Sequence, residues 1–146
     1  MKKKIAAITT SRADFDLLEP VLQEMNKNKN IQLRLIVSGS HFDKKFGYTY
    51  KDILRSKLNI DFKHKIFFKK ISKSELISSL SSYIRKLSVY LEKKNFDMVL
   101  ILGDRYETLI SAFIMNFHNI PIAHISGGEV TEGSKDDSFR HAISKL

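Results

Sequence analysis

Apolar residues along the chain fall into two rhythms. Residues 5–9, 31–38, 98–102 and 120–125 are short, β-branched, nearly continuous apolar runs, as expected of strands buried on both faces. Residues 60–68 alternate, with Ile60, Phe62, Ile66 and Phe68 set against Asp61, Lys63 and Lys65, and predict a further strand. Between these runs the period lengthens to that of a helix. Leu17, Leu18, Val21, Leu22 and Met25 share one face, with Asp14 as the expected N-cap and Pro20 early enough to be tolerated. A short helix is expected within 50–58. Ser72-Lys-Ser-Glu75 has the form of a capping box ahead of Leu76, Ile77, Leu80, Ile84, Leu87 and Leu91, in a helix ending near Asn95. Leu109, Ile110, Phe113, Ile114 and Phe117 make the next helical face, and Phe139, Ala142, Ile143 and Leu146 the last.

Strands alternating with helices predict an α/β fold: a doubly wound, Rossmann-like parallel sheet in one domain spanning 1–146. Right-handed crossovers give the strand order 3-2-1-4-5, with the switch point between the first and fourth strands. Ligands of such sheets sit beyond the carboxyl ends of the strands at that switch. Three polar loops should therefore converge: Ser11-Arg12-Ala13-Asp14, Gly103-Asp104-Arg105, and the loop that opens Ser126-Gly-Gly-Glu129.

This last loop belongs to a stretch, residues 124–141, that holds three of the six glycines, four carboxylates, two histidines and an arginine. Arg12 and Arg105 lie at expected helix starts, where guanidinium groups and free N–H groups suit a diphosphate; each also has an acidic neighbour able to pair with it. Asp104 is equally suited to capping a helix and to proton transfer. Glu129 and Asp136 bring further carboxylates to the same edge. His124 is expected to be buried at its strand end, His41 and His141 to reach the pocket rim, and His64 and His118 to lie on the surface. Scattered histidines do not make a metal set, and no metal or cofactor is expected. There is no Gly-x-Gly-x-x-Gly after the first strand and no Walker motif.

Composition narrows the picture. With no cysteine, disulfides, thiolate metal sites and Cys nucleophiles are excluded, which fits a cytoplasmic setting. No apolar run approaches a membrane span, and Met1-Lys-Lys-Lys followed by residues 5–8 is too short for a signal peptide. The net charge of +9 comes from scattered lysines with no nucleic-acid-binding motif, so neither nucleic acid nor membrane is expected as a partner.

Thr10-Ser11-Arg12-Ala13-Asp14, Gly103-Asp104-Arg105-Tyr106-Glu107, His124-Ile-Ser-Gly-Gly-Glu129 and Asp136-Asp-Ser-Phe-Arg-His-Ala-Ile143 together resemble the hydrolysing UDP-N-acetylglucosamine 2-epimerases, whose members open sialic- and legionaminic-acid synthesis. The resemblance covers the whole chain. It implies the N-terminal half of a glycosyltransferase-B-like fold, a C-terminal domain not present in this sequence, a homo-oligomer in full-length form, and a UDP-sugar substrate. It also implies chemistry: removal of the C2 proton, anti elimination of UDP to a glycal, and hydration to the C2-inverted free sugar. Asp104 and Asp136 match catalytic carboxylates. Arg12 and Arg105 match positions contacting the UDP part, and Ser126, Arg140 and His141 fall in the matched substrate-binding segments. Ser126 stands where relatives acting on UDP-N-acetylglucosamine often have glutamate, which makes Glu129 the nearest substitute base and a 2,4-diacetamido-trideoxy sugar a competing substrate. A non-hydrolysing epimerase and a non-catalytic nucleotide-sugar-binding module are the alternative expectations.

Overall fold

A computed structural model describes residues 1–67, 72–134 and 136–146. The strands β1 (Lys3–Thr9), β2 (Ile31–Val37), β3 (Ile60–Lys63), β4 (Met98–Leu102) and β5 (Ile122–Ile125) form one sheet in the order β3-β2-β1-β4-β5, every pair parallel. The predicted order is therefore observed. Successive residues of the central strands feed opposite faces. Ala6, Ile8, Ile36, Val99 and Ile101 pack under α3 (Lys73–Leu91), α4 (Tyr106–Phe117) and α5 (Asp137–Lys145). Ala7, Leu33, Leu35, Val37 and Leu100 pack under α1 (Arg12–Lys27) and α2 (Tyr50–Arg55). Burial on both sides is why these strands read as unbroken apolar runs.

Several local readings change. Ser11, not Asp14, caps α1. The Ser11 hydroxyl accepts from the Asp14 N–H, and Asp14, at the third helical position, accepts from the Ser11 N–H in return. Because the helix starts at Arg12, Pro20 lies mid-helix and not near its first turn. Pro20 leaves the Asp16 carbonyl without its helical donor, and both residues are exposed, where water can take that place. Strand β3 stops at Lys63, having only β2 as a neighbour; Ile66 is buried without a strand partner, and Phe68 lies outside the described residues. The capping box at Ser72 and Glu75 forms as expected, and α3 ends at Leu91, a turn before Asn95. Leu17, Ile77, Phe113 and Phe117 keep helical spacing yet are exposed, because Phe15 and Leu18 on α1, Leu80 and Tyr83 on α3, and Ala112 and Met115 on α4 occupy the inward arcs. No helix among the described residues is long and apolar enough to cross a membrane.

Candidate active site at the carboxyl edge of the sheet

The loop after β1 is fixed from beneath by a buried polar chain. Asp14 accepts hydrogen bonds from the Thr9 and Thr10 hydroxyls and from the N–H groups of Thr10 (3.0 Å) and Ser11 (2.9 Å). Thr9 Oγ1 also meets His41 Nε2 at 2.8 Å, and His41 Nδ1 meets Thr49 Oγ1 at 2.8 Å. If the Thr9 hydroxyl gives its single proton to Asp14, Nε2 of His41 must carry a hydrogen and Nδ1 must accept from Thr49. The His41 ring is wholly buried, and burial lowers its pKa to about 4, so it is neutral at physiological pH. Burial pushes the Asp14 carboxyl up, while the bonds from Thr9, Thr10 and Ser11 pull it back. His41 is thus not at the pocket rim; it is a strut under the loop. Gly39, with φ of +67°, lets the loop after β2 reach this one: a Cβ there would lie 2.1 Å from the Thr10 carbonyl oxygen, which accepts from the Ser40 N–H at 2.7 Å.

The loop after β4 carries Asp104 and Arg105. Arg105 is the N-cap residue of α4 and donates to Glu107 Oε1 at 2.8 Å. The Glu107 side chain is fully buried, and its pairing holds the proton on Arg105 more firmly against burial, which acts the other way. Asp104 accepts from Arg140 of α5. Arg140 also donates to the Glu129 carbonyl (3.2 Å) and the Thr131 hydroxyl (3.1 Å), so one buried guanidinium ties the Gly-rich loop to the end of β4. Its Nε, also buried, has no hydrogen-bond partner among the described residues.

The Gly-rich loop folds tightly over α5. His124 donates from Nε2 to the Gly103 carbonyl at 2.7 Å, linking the ends of β5 and β4; it is half-buried at the strand end. Ser144 accepts from the Gly128 N–H at 3.0 Å. A Cβ at Gly127 would come within 2.8 Å of His124 Nδ1, so this position has no room for a side chain. Ser126 takes a left-handed φ of +59°, a conformation that costs a non-glycine residue about 1 kcal/mol and is common where function overrides local preference.

Ser11, Ala13, Asp14, Leu17, Leu102, Gly103, Asp104, Arg105 and Asp136 line one cavity of about 240 Å³. The loops after β1 and β4 therefore meet as expected, joined by the start of α5; Ser126 and Glu129, expected to converge with them, are not in this lining. Asp136 is the N-cap residue of α5, is exposed, and makes no capping bond with its side chain. Other expected residues fall outside this lining. Arg12 is exposed and pairs with Asp16 at 3.2 Å, one helical turn on. Glu129 is exposed and engages Arg140 through its backbone. His141 is exposed on α5. His64 is not a free surface residue but stacks on Tyr83, and His118 bonds to Ser88 at 2.8 Å.

Residues 23–146 match the family model described as UDP-N-acetylglucosamine 2-epimerase. The chain belongs to the UDP-N-acetylglucosamine 2-epimerase family. It is 39% identical over 145 residues to the GDP/UDP-N,N'-diacetylbacillosamine 2-epimerase (hydrolyzing) of Campylobacter jejuni, covering 99% of this chain and 38% of that protein. It is 37% identical over 148 residues to the UDP-N-acetylglucosamine 2-epimerase of Neisseria meningitidis serogroup B, covering 99% and 37%. The crystal structure of UDP-GlcNAc 2-epimerase from Neisseria meningitidis bound to UDP-GlcNAc superposes with a TM-score of 0.79 at 20% identity, over 97% of this chain and 38% of that one. The fold is thus the N-terminal half of a glycosyltransferase-B-like enzyme fold, and the chain spans about 38% of the length of these relatives.

Two features of this edge were not singled out from the sequence. One is the chain from Thr49 through His41 and Thr9 to Asp14; its only signal was three consecutive hydroxyl residues before an aspartate. The other is Glu107 as the buried partner of Arg105, for which the spacing of two was visible but the burial was not.

Proposed function

We propose that this chain supplies the N-terminal half of a cytoplasmic, hydrolysing 2-epimerase of a UDP-N-acetylated sugar. The observation that carries the reading is that Asp104, Asp136 and Arg105 line one cavity at the switch point. One carboxylate takes the C2 proton as the C1–O bond to UDP breaks on the opposite face, leaving a C1=C2 glycal. Water then adds its oxygen to C1 and a proton returns to C2 with inverted configuration. The products are UDP and the free 2-epimeric sugar. Arg105 and the N-terminus of α4 stand where the departing diphosphate gathers charge. Glu129, outside the cavity lining, braces the loop and is left out of the proton transfers.

A 2,4-diacetamido-trideoxy sugar is favoured as the sugar part by Ser126, which puts no carboxylate before the Gly-Gly pair, and by the name of the Campylobacter relative. Uridine contacts fall to a second domain, so this chain alone should bind UDP weakly and turn over poorly. The test is to incubate the full-length protein with the UDP-linked diacetamido sugar and with UDP-N-acetylglucosamine. Release of UDP together with a free, C2-inverted diacetamido sugar supports the proposal; return of a UDP-linked epimer refutes the hydrolysing mechanism.

A further inference from the structure

The opposite edge of the sheet carries a second polar cavity. It measures about 310 Å³ and is lined by Lys4, Gln32, Arg34, Asp61, Lys93, Lys94, Asn95 and Phe96. Its floor is strand: in the register of β1 and β2, Lys4 lies beside Gln32 and Ala6 beside Arg34, so Lys4, Gln32 and Arg34 share the face that carries α3. Its wall is the turn that follows α3. Four cations thus surround one carboxylate. That carboxylate is already engaged, accepting from Lys94 Nζ at 2.9 Å and the Tyr90 hydroxyl at 2.7 Å. Those partners, with Arg34 close by, hold Asp61 below the usual carboxylate range although burial opposes them.

Lys93 and Lys94 have an ordinary reason to be there, since cations suit the carboxyl end of a helix. Lys4 projects from a strand with the Asp97 carboxylate near it, and Arg34 projects from a strand with Asp61, which Lys94 already holds, as its neighbouring carboxylate. Arg34 is half-buried, and its attraction to Asp61 comes without a hydrogen bond or close ion pair among the described residues. Asp61 offsets part of the positive charge but is already taken by Lys94 and Tyr90, so the lining keeps an excess of positive charge that a further anion would offset. The cavity is polar, the size of a small metabolite, and a full sheet length from Asp104.

We propose that this cavity is a second anion site, which takes a small phosphate-bearing molecule with two or more charges. Arg34 supplies the planar donor pair, Lys4 and Lys93 supply mobile charge, and Gln32 and Asn95 supply amide donors. The site is independent of the proposed catalytic reading.

The test is titration of this chain with inorganic pyrophosphate at fixed ionic strength, followed by backbone amide NMR and calorimetry. Saturable shifts are expected at Lys4, Arg34 and Lys94. Arg34→Gln should raise the Kd at least tenfold, and Lys93→Gln, an exposed change that leaves packing untouched, about threefold. Arg105→Gln should leave these shifts in place, separating this site from the carboxyl edge. The proposal is overturned if the shifts are confined to the Ser11 and Arg105 edge, if Arg34→Gln and Lys93→Gln bind as the parent does, or if chloride at matched ionic strength gives the same response.

Discussion

Acidification should destabilise this domain through His41 before its carboxylates matter. In the folded chain the ring is buried between Thr9 and Thr49 and resists protonation down to about 4, whereas in the unfolded chain it takes a proton near 6.5. Between those values the unfolded state binds more protons, so stability falls as pH falls through the window. The loss approaches roughly 3 kcal/mol at the bottom, because a tenfold change in a proton-binding constant is worth about 1.4 kcal/mol. That is a large part of the 5–15 kcal/mol or so typical of a domain. His64, also lowered by burial, adds in the same direction. Asp14 opposes: its carboxyl is raised, so protonating it near the bottom of the window favours the folded state. Asp61, Glu75 and Asp97 are lowered, so their contribution is lost only at and below the ordinary carboxylate range. Urea unfolding followed by circular dichroism from pH 7 to pH 4.5 measures the slope, with His41→Gln as the comparison. The substitution should cost stability at pH 7 and flatten the slope. An equally steep decline in His41→Gln would show that the ring is not the buried neutral strut described here.

Gly39→Ala should cost more than about 2 kcal/mol, since the added carbon meets the Thr10 carbonyl and the backbone is left-handed; thermal melting of the variant checks it. Arg140→Ala should free the Gly-rich loop, read as faster cleavage by a glutamate-specific protease at Glu129 and Glu132, with the helical signal retained. Arg105→Ala in the full-length enzyme should weaken UDP binding about tenfold or more, from loss of a charge-assisted contact, measured by calorimetry. Ser126→Glu should not raise turnover of the native sugar, if the serine marks the substrate and not a lost base.

The sheet was legible because both faces of its central strands are covered: Ala6 and Ala7, or Ile36 and Val37, leave no polar position to confuse the period. Crossover handedness then fixed the order and so the meeting of the Ser11 and Asp104 loops, though Asp136, and not Ser126 or Glu129, completes the lining. What periodicity cannot convey is which way a polar side chain turns. Arg12 and Arg105 looked alike as arginines at helix starts, yet Arg12 turns outward to Asp16 while Arg105 folds back on buried Glu107. Glu129 read as a candidate base and Arg140 as a substrate contact, and nothing in their spacing showed that the Arg140 guanidinium donates to the Glu129 carbonyl. His41 looked like a rim residue because its partners, Thr9 at the end of β1 and Thr49 in the following segment, are brought to it only by the fold and lie beneath the surface.

The claim that Asp104 and Asp136 carry the proton transfers is tested most directly by solvent deuterium. Full-length enzyme turning over its UDP-sugar in D2O should place one deuterium at C2 of the released sugar. The Asp104→Asn and Asp136→Asn enzymes should fold normally and lose rate by about 100- to 10,000-fold, the range typical of a general acid or base. Near-normal turnover with full deuterium incorporation in both variants would contradict the account and leave these carboxylates as structural groups at the ends of β4 and α5.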